Sequence, residues 1–358
     1  MIGILCGVAL AVLPVPKAQD GPKPLHELAV PGRDRGGLPT PWVAFTPDGR
    51  TVATVVPVEC TGNHIIAVDI ATGKQIASAR TSSGRFRQGV LISPDGRAVW
   101  DLLKRSVDQP SFALPLRPGP LGIDWPTPAP IFPKRSPEES ICRHWSDGQV
   151  LFRACFDSAY RLECWKPDER KHDTILRGAV NDKQHSTGTF ALDPVNLRFA
   201  VGVNDSKSDK WTLHCWALSA KPKPVNTEIE LPAPSFALEC SPDGKYLASG
   251  MTDGSLGVWD AATGKAVFEP RVLGQFTVAA LAFHPSGKFI ACGTFDDRGA
   301  ANVYLVEVES GDILQKFRAH PSDVMAVGFD RTGDRLAVVV RNAVKIYDAR
   351  PLLGLQTE

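Results

Sequence analysis

Asp296 and Asp297 stand side by side before Arg298, a trio that in the right cleft holds a metal ion or serves acid–base chemistry. Cys142 and His144 lie two residues apart, so on a strand they share one face, and both are metal-ligand types. His214 and Cys215 are adjacent and on a strand face opposite ways. None of these groups has the partners its chemistry requires. No second pair repeats the Cys142–His144 spacing, and no Cys-x-x-Cys pair, Gly-x-Ser-x-Gly turn, phosphate-cradling loop or dinucleotide fingerprint occurs. The aspartates beside Arg298 therefore read as a solvated turn, and Cys142 with His144 as core packing. We expect no catalytic set, no metal and no cofactor.

What must position these residues is a turn that recurs. "FTPDGRTVAT" carries Asp48, "ISPDGRAVW" Asp95, "HWSDGQVLF" Asp147, "LDPVNLRFAVG" Val195, "CSPDGKYLASG" Asp243, "FHPSGKFIACG" Ser286 and "FDRTGDRLAVV" Thr332. These positions are separated by 47, 52, 48, 48, 43 and 46 residues. Seven units at such a period indicate a blade-by-blade array, each blade being four short antiparallel strands. Proline presets φ at the second position of the turn, and glycine takes the left-handed position that closes it. In the fourth unit Asn196 replaces the glycine, the other residue that tolerates that conformation. An apolar or alternating run precedes each turn ("WVAF", "VLIS", "ALAF", "AVGF") and a β-rich run follows it ("YLASG", "FIACG", "RLAVVV"). A third strand comes next ("HIIAVDI", "YRLECW", "LGVWD", "NVYLVEV", "AVKIYD"), and a second tight turn ("ATGK", "ESGD") leads to a fourth.

Within the fifth unit "YLASGMTDGSLGVWDAATGKAV" resembles a WD40 repeat, with Trp259-Asp260 as the namesake pair, and "IIAVDIATGKQI" is similar to bacterial YVTN-type repeats. The resemblance implies an all-β fold, a seven-bladed β-propeller of four-stranded antiparallel blades. The seventh unit runs out after its third strand, so "PLHELAV" (24–30) is expected to supply the missing strand, closing the ring and covering its sheet edges. The family often buries a hydrogen-bonded His, Ser or Thr, Asp and Trp. Ser249, Asp253 and Trp259 match three of these in the fifth unit, and His320 in "RAHPSDV" matches the histidine of another. No unit carries the whole set, so the resemblance supports the fold and not the full internal network.

Bulk properties bound the rest. The 358 residues hold 40 Lys plus Arg against 39 Asp plus Glu, a formal charge of +1 that favours neither nucleic acid nor an anionic membrane. Apolar residues at 43% support a packed core, and 30 prolines with 31 glycines point to many turns. Ile2 to Leu13 is an uncharged apolar run, too short to span a bilayer and the length of a leader core. We expect residues 1–18 to be a signal peptide cleaved after Ala18, the chain exported to the periplasm or beyond, and 19–358 to be one propeller domain; without that leader function the chain is cytoplasmic. The cysteines beyond the leader are odd in number and mostly sit in apolar strands, so they read as buried thiols.

In such a meander the repeated turns lie at one end of the ring, and the divergent loops ("VVPVECTGNH", "GAVNDKQHST", "NDSKSDKW", "TFDDRGAANV") at the other, where binding is expected. Residues 110–137 form a proline-rich insertion, either a rigid decoration on the second blade or a partner-binding arm with Trp125 and Phe132 as anchors. Asp296, Asp297 and Arg298, in a divergent loop, join these as candidate partner contacts. The expected function is a monomeric, non-catalytic scaffold that binds another protein through its loop face. The alternatives are a propeller-type enzyme, a lactonase or oxidoreductase, and an extracytoplasmic ligand-binding propeller.

Overall fold

The computed structural model describes residues 21–29, 42–58, 62–80, 87–88, 90–92, 98–101, 112–116, 141–146, 151–156, 159–166, 171–179, 184–193, 198–205, 210–217, 223–224, 229–294, 301–321, 323–340 and 343–355. These residues are almost wholly strand. Their single helix is the one-turn Ala349–Leu352, capped by Asp348. The leader, Trp125, Phe132 and the Asp296–Asp297–Arg298 trio lie outside the described residues.

The strands fall into sheets that follow chain order, numbered I to VII here. Sheet I is Val43–Phe45, Thr51–Val58, Gly62–Asp69 and Gln75–Arg80. Sheet V is Ser235–Cys240, Tyr246–Met251, Ser255–Asp260 and Ala266–Val272, and sheet VI is Val278–Phe283, Phe289–Thr294, Ala301–Glu307 and Ile313–His320. Sheet VII takes Val324–Phe329, Arg335–Val340 and Ala343–Asp348 from the chain's end, and His26–Ala29 from its start. That fourth strand is antiparallel to the third, with His26 opposite Ile346 and Ala29 opposite Ala343.

The middle sheets depart from the uniform four-stranded pattern expected. Sheet II has three described strands, Val90–Ile92, Ala98–Asp101 and Phe112–Pro115, and the last opens the proline-rich stretch. Pro115, which has no N–H to give a ladder, ends the last of these strands opposite Ala98. Sheet III holds Ile141–Ser146, Leu151–Phe156, Ala159–Lys166 and Lys171–Ala179, and gains Arg87–Gln88 alongside its first strand, in parallel. Sheet IV is Gln184–Asp193, Arg198–Asp205 and Lys210–Ala217, whose outer neighbour is split into Lys223–Pro224 and Ile229–Leu231.

The recurring turn forms as its residues dictate. In sheet V, Ser241 Oγ accepts the Tyr246 N–H at 2.8 Å and donates to Asp243, whose Oδ1 also accepts the Lys245 N–H at 3.0 Å. Gly244 follows at φ +66°, a region closed to most side chains. Sheet I repeats this with Thr46 and Asp48.

Apolar clusters join successive sheets face to face. Ala53, Ile65 and Ala67 of sheet I pack with Val99 of sheet II. Phe152 and Leu162 of III pack with Phe190 and Phe199 of IV, whose other face carries Ala191 and Leu213 against Leu238, Leu247 and Trp259 of V. Leu256 and Val258 of V meet Ile290 and Tyr304 of VI. Val303, Leu305 and Phe317 of VI meet Leu336, Val338 and Tyr347 of VII. Met325, Ala337, Val339 and Ile346 of VII meet Val52, Ile66 and Val68 of I. The central strands of sheets I, IV, V, VI and VII are therefore covered on both faces, and every residue of Tyr246–Met251 is buried. Each such Leu, Ile or Val contributes about 1.5–3 kcal/mol by leaving water. The first strands touch in the order I to VII, and that of VII touches that of I.

Candidate protein-binding face

The two ends of the sheets use their polar groups differently. At the turn end the carboxylates and hydroxyls that form the turns are spent within them. A Cβ on Gly287 would lie 3.3 Å from Asp243 of the preceding sheet, one on Gly333 would lie 1.9 Å from His284, and one on Gly49 would lie 3.8 Å from Asp330. Each turn thus abuts the turn before it. Asp69 and Asp260 fold the second kind of turn: Asp260 Oδ1 accepts from the Thr263 hydroxyl at 2.8 Å and from the Thr263 and Ala262 N–H groups at 2.7 and 3.0 Å. The hydroxyl bond from Thr263 is the main reason the Asp260 carboxyl ionises below its usual value, as that from Thr72 does for Asp69.

At the loop end, sheets V and VI build a platform from backbone. The Thr252 N–H donates to Pro234 O at 3.0 Å, the Leu273 N–H to Gly254 O at 3.0 Å, and Thr277 Oγ1 to Thr252 O at 3.3 Å. Gly254 sits so close to the connection between the sheets that a Cβ there would be 2.2 Å from Gly274 O and 2.8 Å from Phe276 O. Asp253 Oδ1 accepts the Ser255 N–H at 3.0 Å and the Ser255 hydroxyl, which fixes the turn. On this platform Thr252, Asp253 and Gln275 are exposed, Phe276 and Thr277 are half-buried, and Phe236 is 37% exposed. An aromatic ring held at a rigid lip beside exposed polar groups is the composition of a protein-binding surface.

Phe236 escapes a reading by alternation. Period two places it on the face of Leu238, which is buried, but the pairing of Ser235–Cys240 with the next strand slips between Ser235 and Ala237. Phe236 is the extra residue of that bulge, which breaks the alternation there, and it is exposed. The same slip occurs between Val278 and Ala280 and between Val324 and Ala326. The corresponding Ala279 and Met325 are buried, so Phe236 is the large side chain the device exposes. Its only signal in the sequence is the Pro-Ala-Pro that precedes Ser235.

The residues singled out by the WD40 resemblance lie in one sheet without forming one network. Ser249, fully buried, bonds to Ser235 Oγ at 2.9 Å, and Thr189 Oγ1 of sheet IV reaches the same oxygen at 3.1 Å. The tie thus runs from sheet V into sheet IV through Ser235, a residue the motif reading did not include. Asp253 is engaged by Ser255 alone among the described contacts. Trp259 is 4% exposed and fills the IV–V seam, packed over Gly257. Asp260 holds the turn that leads to the fourth strand. His320 ends the strand Ile313–His320 in sheet VI, opposite Ala301. No group of three or more metal-ligand side chains occurs among the described residues, and no described helix is long and apolar enough to cross a membrane.

A family model, that of the WD domain, G-beta repeat, matches residues 233–260 and 270–298, within sheets V and VI. Pre-mRNA-processing factor 19 homolog 2 of Arabidopsis thaliana is 28% identical over 34% of this chain and 22% of its own length. The WD repeat-containing protein 26 homolog of Drosophila melanogaster is 31% identical over 26% of this chain and 16% of its own. Protein tipD of Dictyostelium discoideum is 35% identical over 21% of this chain and 10% of its own. The matches thus span about a fifth or less of these relatives.

Proposed function

We propose that sheets I to VII are the blades of one closed ring spanning residues 19–358, and that the ring is a non-catalytic scaffold whose loop end binds another protein. The closed ring is supported by the pairing of His26–Ala29 with Ala343–Asp348 and by the apolar cluster shared by sheets VII and I. The observation that carries the binding face is Phe236, a phenyl ring exposed at a bulge on a backbone-braced lip, while the turn end spends the groups that form its turns within them. The partner is a protein with an apolar anchor for Phe236 and a cationic group for the exposed Asp253.

The experiment is cross-linking and capture from the source cell with the full chain, the variant Phe236→Asp, and the turn-end variant Lys265→Glu as control. Phe236→Asp should lose a partner that Lys265→Glu retains. A partner held equally by Phe236→Asp, or lost only with Lys265→Glu, sinks the assignment of the face. Export belongs to the same reading and rests on the apolar run Ile2–Leu13. A mature chain starting at Gln19 is the expected mass, and an intact Met1 refutes it.

A further inference from the structure

The residue that closes the first turn of a sheet differs in kind from one sheet to another. Thr46 in sheet I accepts the Thr51 N–H at 3.0 Å, Ser241 in V accepts the Tyr246 N–H at 2.8 Å, and Asp330 in VII accepts the Arg335 N–H at 3.1 Å. In sheet VI the place belongs to His284. Its Nδ1 lies 3.1 Å from the Ser286 backbone N and 2.8 Å from Ser286 Oγ. A backbone N–H can only donate, so Nδ1 is the acceptor and the ring is neutral with its proton on Nε2. That Nε2 is buried and points into the seam with sheet VII, towards the Gly333 backbone. Room exists there because residue 333 is glycine: a Cβ would be 1.9 Å from Nε2, and φ is +84°. The imidazole is 5% exposed and lies between Phe289 and Phe329, with ring centres 5.7 and 5.1 Å away.

The charged groups around it are few. Asp330 and Asp334 face it from the turn of sheet VII, where Arg331 and Arg335 flank them. Lys288 follows it on its own turn, and Asp243 reaches Gly287 from sheet V. Burial pulls its pKa below the usual histidine value, outweighing the Gly333 backbone and then the two facing aspartates, which favour a charged ring.

We propose that His284 is a proton-operated latch on the seam between sheets VI and VII, closed while the ring is neutral and released when Nδ1 takes a proton. A proton there opposes the Ser286 N–H, so the side-chain bond that braces the turn is lost, leaving only its backbone bonds from the His284 and Gly287 N–H groups, and it places a charge between two phenyl rings. The folded pKa lies below the unfolded one, so the unfolded or opened form binds the proton more readily. The seam's stability is complete above about pH 6.5 and falls as pH drops through that value, by up to about tenfold per unit, until the folded pKa is reached. This rests on contacts between two sheets and does not need the ring or the binding face to be right.

The test is hydrogen exchange of the full chain, corrected for intrinsic rate, at pH 7.5 and 5.5, for the native protein and for His284→Thr, the residue that closes the turn of sheet I. In the native protein, peptides covering 283–289 and 329–336 should lose up to about tenfold in protection at pH 5.5. The sheet I turn, 45–51, should be unchanged, and the variant should show no selective loss at either seam peptide. A change below twofold in the native protein, an equal loss at 45–51, or an undiminished loss in His284→Thr each overturns the latch. If the variant does not fold, nitrogen NMR of the native imidazoles decides. A buried ring carrying its proton on Nε2 at pH 7.5, whose protonation coincides with the loss of protection at 283–289, supports the proposal; a proton on Nδ1 at pH 7.5, or protonation without that loss, refutes it.

Discussion

Gly257 sits in the middle of Ser255–Asp260, where every strand rule would favour a branched residue, and the reason is Trp259. A Cβ on residue 257 would lie 2.2, 2.7 and 2.9 Å from Cη2, Cζ2 and Cζ3 of that indole, against ordinary carbon contacts near 3.5–4 Å. Gly257→Ala therefore forces the ring to move by about 1 Å in a site where it is 4% exposed and held by Leu231, Leu238 and Leu247. Overpacking of this size costs about 1–3 kcal/mol. Trp259→Leu, which leaves a partial cavity, should cost about 2–4 kcal/mol, somewhat below full truncation to alanine. In the double variant the new methyl group no longer meets an indole, so the double loss should fall short of the summed single losses by about 1–2 kcal/mol. The assay is urea unfolding followed by circular dichroism and by fluorescence, taken as a free energy only where the two transitions coincide. Additivity within about 0.5 kcal/mol would refute the reasoning, since the methyl group and the indole would then not be in conflict.

Three further outcomes are expected. Ser235→Ala removes two hydroxyl bonds, those with Thr189 and Ser249, whereas Ser249→Ala removes only one. Urea midpoints should therefore fall in the order native, Ser249→Ala, Ser235→Ala, by about 1 kcal/mol a step. Asp260→Ala, which opens the turn before the fourth strand, should cost about 1 kcal/mol, the scale of a lost cap. The bonds from Thr263 hold the Asp260 pKa down, so its contribution is present above about pH 3.9 and is lost as pH falls further. The acid-unfolding profile of Asp260→Asn should accordingly be flatter below pH 4 than that of the native chain. Burial pushes the Cys215 thiol up to about 12 and that of Cys292 higher still. Iodoacetamide at pH 8 should leave both untouched until denaturant is added, as read by peptide mass spectrometry, and labelling of Cys292 in the native protein would contradict its burial.

Much of the fold was legible because it is written locally. The strands flanking Asp48, Asp243, Ser286 and Thr332 lie where the recurring turn puts them, since proline, aspartate and glycine act on their own backbone within four residues. The reading weakens where proline density removes ladder donors: sheet II lacks a described fourth strand, and the outer side of sheet IV is split in two. The parallel pairing of Arg87–Gln88 with Cys142–Arg143 had no local signal, because it joins segments more than fifty residues apart.

From its sequence alone this chain is committed to repeated β-units and to glycine at the places that close them, since those depend on backbone dihedrals that a few neighbouring residues control. Only the tertiary structure decides which side chains become exposed or reactive. Phe236 stands at a slip in the pairing of two adjacent strands and is exposed there, where Met325 at the same slip in sheet VII is buried. Ser235, which Ser249 bonds within sheet V, is tied to Thr189 of sheet IV, and His284 is neutral because a seam between two sheets leaves its charge no water. The last two depend on contacts between sheets, which no spacing within a unit encodes.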